Sequence, residues 1–115
     1  MDEGNLGIAR HFYEQSLRIY RDLNTRQGVA LTLVRLARVC LREGQTEASA
    51  RLWASAEALR EQIGMQLPPA EQENHAQEIA QLREMMGEIP FITAWSSART
   101  AALDQAVRLA LNHSS

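Results

Sequence analysis

The residues best able to do chemistry in this chain are three histidines, one cysteine and the acids around His75. Glu71, His75 and Glu78 are spaced i, i+4 and i+7, so on a helix they would share one face and could ligate a metal ion. The Glu-x-x-His spacing of di-iron bundles is absent, because Gln72 stands three residues before His75. Metal sites also draw ligands from several elements. We therefore interpret this face as solvated and predict no metal site.

The other candidate groups are isolated from one another. His11 and His113 lie near opposite ends of the sequence. Cys40 has no histidine partner in the sequence and falls on an apolar helix face, which favours an inert packed thiol over a nucleophile. The pair Gly4-x-x-Gly7 follows no strand and precedes no lysine, so it is not a phosphate-binding loop. We predict no catalytic residue and no cofactor, and the chain is expected not to be an enzyme.

Apolar residues at helical spacing account for most of the chain, and no strand pattern appears. The clearest unit is a pair of segments around Gly44, whose short break favours an antiparallel helical hairpin. Their apolar faces carry Leu33, Leu36, Ala37 and Cys40 in the first segment, and Ser49, Leu52, Trp53, Ala56 and Leu59 in the second. The sequence predicts an all-α fold of about six helices, over residues 5–23, 26–42, 46–63, 70–86, 90–98 and 102–112.

Capping residues delimit these helices. Asn5 and Thr46 are predicted N-caps. Glycines at positions 44, 64 and 87 stand where helices end, the first two as left-handed C-caps. Pro68 and Pro69 mark a loop that leads into the first turn of the fourth helix.

Bulk properties exclude several classes of function. The net charge of −2 over 115 residues argues against direct nucleic-acid binding by charge. No apolar run approaches the length that spans a bilayer, so no membrane partner is expected. The N-terminus is acidic and does not read as a signal peptide. A lone cysteine rules out an intrachain disulfide, so we expect a cytoplasmic protein.

A repeat with an offset of 40 residues is visible when Gly4 is aligned with Gly44. The matched pairs are Ala9 with Ser49, Tyr13 with Trp53, and Ser16 with Ala56. A period near this length, with small and aromatic residues alternating on helices, is typical of a helical solenoid. The chain then reads as a single domain, residues 1–115, with a half repeat at 4–23, a complete repeat at 26–63, and a degenerate repeat and cap at 70–112.

The complete repeat resembles a tetratricopeptide repeat in the spacing of its apolar, glycine and small residues. The resemblance rests on Leu33, Leu36, Ala37, Cys40, Gly44, Ser49, Trp53 and Ala56. Leu33 replaces the family's usual tryptophan, and the terminal proline is absent. The segments YEQSLRIYRDL and ASARLWASAEALREQIGMQLPP are also similar to the helical-repeat tail of large bacterial transcriptional regulators of the LuxR type. The resemblance implies stacked hairpins in a short right-handed solenoid that binds a protein or peptide.

In such a solenoid, the first helix of each hairpin lines a concave surface that contacts peptides. This resemblance assigns the contact role to Leu31, Val34, Arg38, Leu41, Arg42, Gln77 and Gln81. Arg38 and Arg42, at i and i+4, are expected to pair with an acidic group of the partner. The alternative is a solvated stripe in which Arg35, Arg38 and Arg42 pair with Glu43 and Glu47.

The sequence leaves open the role of the first helix and the kind of ligand that the chain binds. The first helix carries apolar side chains on more than one face, at Phe12, Leu17, Ile19 and Tyr20. Either these residues form a symmetric homodimer, or the chain is a fragment of a longer regulator. The function is expected to be a non-catalytic protein or peptide interaction, and the alternative is a small-molecule effector domain with a ligand between repeats.

Overall fold

The computed structural model describes the backbone of residues 3–100 and the side chains of residues 5–100. Over this range the chain forms five α-helices and no strand, which confirms the all-α class for the described part. The helices are α1 Glu3–Asp22, α2 Arg26–Arg42, α3 Thr46–Ile63, α4 Pro69–Met86 and α5 Glu88–Arg99. The sixth helix, predicted over residues 102–112, lies outside the described residues.

The helices end largely where glycine and proline predict. Gly44 and Gly64 have φ angles of 80° and 69°, the left-handed conformation that glycine adopts without steric cost. Pro69 opens α4, where its missing N–H leaves no helical hydrogen bond unmade. The predicted N-caps differ: Asn5 lies inside α1, and Gln45 rather than Thr46 precedes α3.

The hairpin of α2 and α3 is the centre of the fold. The predicted core faces of both helices are buried, with Leu33 and Trp53 each at 0% exposure. Ser49 donates a 2.7 Å hydrogen bond from Oγ to the carbonyl of Ala37, which joins the two helices at a position where only a small side chain fits. The other face of α3 packs against α4 and α5, so α3 is buried on several sides.

α1 packs along α2 and has two different sides. Leu6 and Leu17 are buried, whereas Phe12, Ile19 and Leu23 are 63%, 56% and 69% exposed. The prediction that Leu17 belongs to an exposed self-association surface is therefore wrong, because this side chain fills the core between α1 and its neighbours. None of the described helices combines the length and apolar character needed to cross a membrane.

Candidate functional site

A groove of about 610 Å³ runs along α2, with α1 on one side and α4 on the other. Its lining is dominated by charged and amide side chains, so the groove is a polar surface and not an opening in the core. The lining residues are Tyr13, Arg35, Arg38, Val39, Arg42, Glu71, Asn74, Gln77, Glu78 and Gln81. We call this surface the α2–α4 groove.

The structure brings together the polar members of the predicted peptide-contact set. Arg38, Arg42, Gln77 and Gln81 all line the α2–α4 groove. Leu31 is half-buried and is not among the lining residues.

The apolar members Val34 and Leu41 do not belong to the groove. They are 0% and 8% exposed and are part of the hydrophobic core. Their predicted peptide contact is wrong, because α2 is packed by neighbours on more than its one core face. Burial of these two side chains is itself favourable, since their apolar surface leaves water.

Arg38 is held between two carboxylates of α4. Its Nη2 donates to Glu71 Oε2 at 2.7 Å, and its Nε donates to Glu78 Oε1 at 2.9 Å. Burial disfavours the charge on Arg38, but the hydrogen bond that Arg38 donates to Glu71 and the attraction of Glu78 outweigh this effect and raise the pKa of Arg38. Burial also raises the pKa of Glu78, and Arg38 only partly offsets this. Arg38 therefore ties α2 to α4, and its charge is already neutralised.

Arg35 and Arg42 are the other two cations of the groove, and their surroundings differ from those of Arg38. Among the described residues, neither makes a hydrogen bond or an ion pair. Arg42 is exposed and acts on Glu78 only through longer-range attraction. Glu43, a carboxylate expected beside these arginines, instead pairs with Arg10 of α1. The groove thus presents two guanidinium groups that retain their hydrogen-bonding capacity.

The side chains of Glu71, His75 and Glu78 contact different neighbours. Glu71 and Glu78 face Arg38, whereas the ring of His75 packs on Trp53, with centroids 4.6 Å apart. Burial lowers the pKa of His75, and the nearby Arg60 and Arg38 lower it further. No group of possible metal ligands converges within the part of the chain that the structure describes.

Sequence reasoning missed six lining residues, of which Glu71 and Glu78 enter the sequence analysis only as possible metal ligands. The other four are Tyr13, Arg35, Val39 and Asn74. A signal for two of them was present. Arg35 precedes Arg38 and Arg42 at helical spacing, and Asn74 precedes Gln77, Glu78 and Gln81 in the same way. Tyr13 comes from a separate helix, so its place in the groove depends on how α1 crosses α2. Val39 is 1% exposed and contributes only to the floor.

A second, smaller cavity lies between α4 and α5. It has a volume of about 210 Å³ and an aromatic wall formed by Phe91 and Trp95, whose rings stack with centroids 5.3 Å apart. Ile79 and Ile92 complete its apolar lining. Arg83 closes one side, with its guanidinium 4.9 Å from the Phe91 ring centroid.

Comparison with known proteins supplies no relative for this chain, so the groove and the cavity are interpreted from their own residues. No protein-family model matches the chain, and no curated protein or solved structure matches it either.

Proposed function

We propose that this chain is a non-catalytic interaction module whose α2–α4 groove binds an extended peptide segment carrying a carboxylate. The observation that supports this most directly is the contrast between the arginines of α2. Arg38 is neutralised by Glu71 and Glu78, whereas Arg35 and Arg42 are unpaired among the described residues and line the same groove. A guanidinium binds a carboxylate through paired N–H donors, which gives both affinity and orientation.

The remaining lining favours a peptide backbone as the bound group. Asn74, Gln77 and Gln81 provide amide donors and acceptors along one face of α4. These side chains match the alternating N–H and C=O groups of an extended chain. Tyr13 adds a flat, half-buried ring on the opposite wall, suited to packing against a side chain of the peptide.

The wider setting is proposed from the sequence resemblance. The described helices would form part of a right-handed tetratricopeptide-like solenoid that serves as the repeat portion of a bacterial signalling or transcription regulator. In that role the chain would contact protein and not DNA, in keeping with its net charge of −2. We place it in the cytoplasm, a proposal supported by its single, buried, unpaired cysteine.

A small-molecule effector is the second candidate function, and the cavity between α4 and α5 favours it. Its apolar walls would suit a small aromatic or aliphatic group, whereas the adjacent Arg83 already pairs with Glu88 at 2.9 Å. At about 210 Å³, however, it is smaller than the roughly 300–1,000 Å³ typical of ligand pockets. A ligand there would perturb the fluorescence of Trp95, which lines the cavity, whereas Trp53 lies beside Arg38 of the α2–α4 groove. A fluorescence change that is lost in Trp95→Phe therefore assigns binding to the cavity.

The peptide proposal is tested by selection from a random peptide library displayed with free C-termini. The selected peptides should be enriched in Asp, Glu or a required terminal carboxylate. Binding of the best peptide should weaken about tenfold for Arg35→Gln and for Arg42→Gln, because each removes a charge-assisted hydrogen-bond donor group. Arg18→Gln is the matched control, since Arg18 is an exposed arginine of α1 outside the groove.

Three results would count against the peptide proposal. They are a library that yields no binder, binders that lack an acidic group, and an Arg18→Gln variant that binds as weakly as the groove variants. Combined replacement of Arg38 and Arg42 by alanine should abolish peptide binding, and unchanged affinity in that variant would remove the groove from consideration. Circular dichroism is needed for every Arg38 variant, because this side chain also joins α2 to α4.

A further inference from the structure

An apolar stripe that no other described residue covers runs along the side of α1 that faces away from α2. It consists of four large side chains, Ile8, Phe12, Ile19 and Leu23, which are 71%, 63%, 56% and 69% exposed. At about 100° per residue these positions fall within an arc of about 60°, roughly opposite the buried Leu17. Leu23 directly follows α1 and continues its last turn, because its N–H donates to the carbonyl of Ile19. An aligned apolar stripe of this kind is typical of a surface that binds another helix, because its exposure to water is unfavourable.

The spacing within this α1 stripe is symmetric about the point between Gln15 and Ser16. Phe12 and Ile19 are equally far from that point, and so are Ile8 and Leu23. When two copies of α1 are laid antiparallel about a two-fold axis through this point, Phe12 of each copy faces Ile19 of the other. Ile8 likewise faces Leu23. The stripe is therefore complementary to itself, which is the requirement of an isologous dimer interface.

The charges beside the stripe agree with the same arrangement. His11 and Asp22 lie on one flank of α1, near opposite ends of the stripe, and both are exposed. The antiparallel pairing places His11 of one copy between Asp22 and Arg18 of the other, and Arg18 close to Gln15. Neither flank places like charges opposite each other. A partner of unrelated sequence would not require this symmetry.

From these observations we infer that the chain forms a symmetric homodimer by antiparallel packing of α1 against α1 of a second copy. The interface uses Ile8, Phe12, Ile19 and Leu23. Two of the residues predicted from the sequence, Phe12 and Ile19, belong to it. Leu17 does not, and Tyr20 lies at its margin, because its ring is turned onto Gly28 of its own chain. None of the stripe residues lines the α2–α4 groove, so dimer formation and peptide binding are separate properties.

The test is a mass measurement by light scattering at roughly tens of micromolar chain, where mass action favours association. The wild-type chain should show twice its monomer mass of 12.9 kDa. Phe12→Glu alone and Ile19→Lys alone should each give monomer, because a charge would be placed against an apolar side chain. An equimolar mixture of the two variants should return to the dimer mass, since one Glu–Lys pair and one native Phe–Ile contact then form.

Ile89→Glu provides the matched control. Ile89 is 79% exposed on α5, away from α1, so this variant should remain dimeric. A wild-type chain that stays monomeric overturns the homodimer and leaves the stripe to a different chain. Dimers that persist in both α1 variants overturn the assigned surface. Variants that are monomeric alone and do not associate when mixed overturn the antiparallel arrangement.

Discussion

The imidazole ring of His75 packs on the indole of Trp53 at the interface of α3 and α4, with ring centroids 4.6 Å apart and planes inclined by 59°. The guanidinium carbon of Arg38 lies over the same indole ring, 5.9 Å from the Trp53 ring centroid. A single buried aromatic side chain thus contacts both the helix that carries the groove's cations and the helix that carries its acids. Ionisation of His75 therefore bears on the structure that supports the groove.

The first prediction concerns pH. Burial lowers the pKa of His75 from its ordinary value of 6.5, and Arg60 and Arg38 lower it further. The unfolded chain consequently binds a proton at His75 before the folded chain does. The contribution of His75 to folding stability is therefore constant above about pH 6.5 and decreases as the pH falls below it. Urea unfolding of the wild type and of His75→Phe across this range should show the decrease only in the wild type.

Other charged groups near His75 act on the same measurement, and comparison with the variant removes their effect. Glu71 and Glu78 lie on the same helix face, and burial raises the pKa of Glu78, which favours the folded chain as the pH falls. These contributions are present in both proteins. Equal pH dependence in wild type and His75→Phe would show that His75 does not titrate differently on folding. His11→Gln is the control histidine substitution, since His11 is exposed on α1.

The second prediction concerns the Arg38 clamp. Arg38→Met leaves two half-buried carboxylates without their cation, and the expected loss is about 2 kcal/mol, between the values for exposed and fully buried pairs. Glu78→Gln alone should cost little, because burial already disfavours its charge. The double variant Arg38→Met with Glu78→Gln should be more stable than Arg38→Met alone. An additive loss in the double variant would contradict the clamp.

A third prediction follows from the close approach of α1 and α2 at Gly28. A Cβ atom added at Gly28 would lie 2.5 Å from the Tyr20 ring, well inside van der Waals contact. Gly28→Ala should therefore be destabilising by about 1 kcal/mol, since the steric cost exceeds the gain in helix propensity. In a Tyr20→Ala background the same substitution should be stabilising. A double-mutant cycle by denaturant unfolding measures this change of sign, and its absence would refute the contact.

The fourth prediction concerns the small residue that joins α2 and α3. Ser49 is fully buried and donates to the carbonyl of Ala37. Ser49→Ala should cost about 1 kcal/mol through the lost hydrogen bond. Ser49→Val should cost about 3 kcal/mol, because added carbon atoms also force the helices apart. Thermal unfolding of both variants distinguishes the two effects, and equal losses would mean that packing at this position is loose.

The fifth prediction concerns the cysteine. Burial raises the pKa of Cys40 to about 11, with Arg10 opposing and Glu14 reinforcing the shift. The thiolate is therefore scarce at neutral pH, and Cys40 should react with Ellman's reagent only as fast as the chain unfolds. Stability should be independent of this thiol below pH 9 and should decrease as the pH rises towards 11. Rapid labelling of the folded chain at neutral pH would contradict the burial.

Several features of the described fold could be predicted from local sequence patterns. The apolar faces of α2 and α3, carrying Leu33 and Trp53, follow directly from helical periodicity. The ends of α2 and α3 follow from Gly44 and Gly64, because these positions need positive φ angles that glycine adopts freely. Part of the polar lining of the groove, including Arg42 and Gln81, is also predicted by spacing together with the family resemblance.

The remaining features were decided only by tertiary structure. Periodicity identifies the most apolar face of a helix, but not whether its other faces are covered, so Val34 and Leu41 were placed on the surface when they are buried. Likewise, the partners of Arg38 lie 33 and 40 residues away on α4, and no local pattern specifies that crossing. Helix positions are set by local propensity and short-range contacts, whereas the pairing of their faces depends on how the helices pack together.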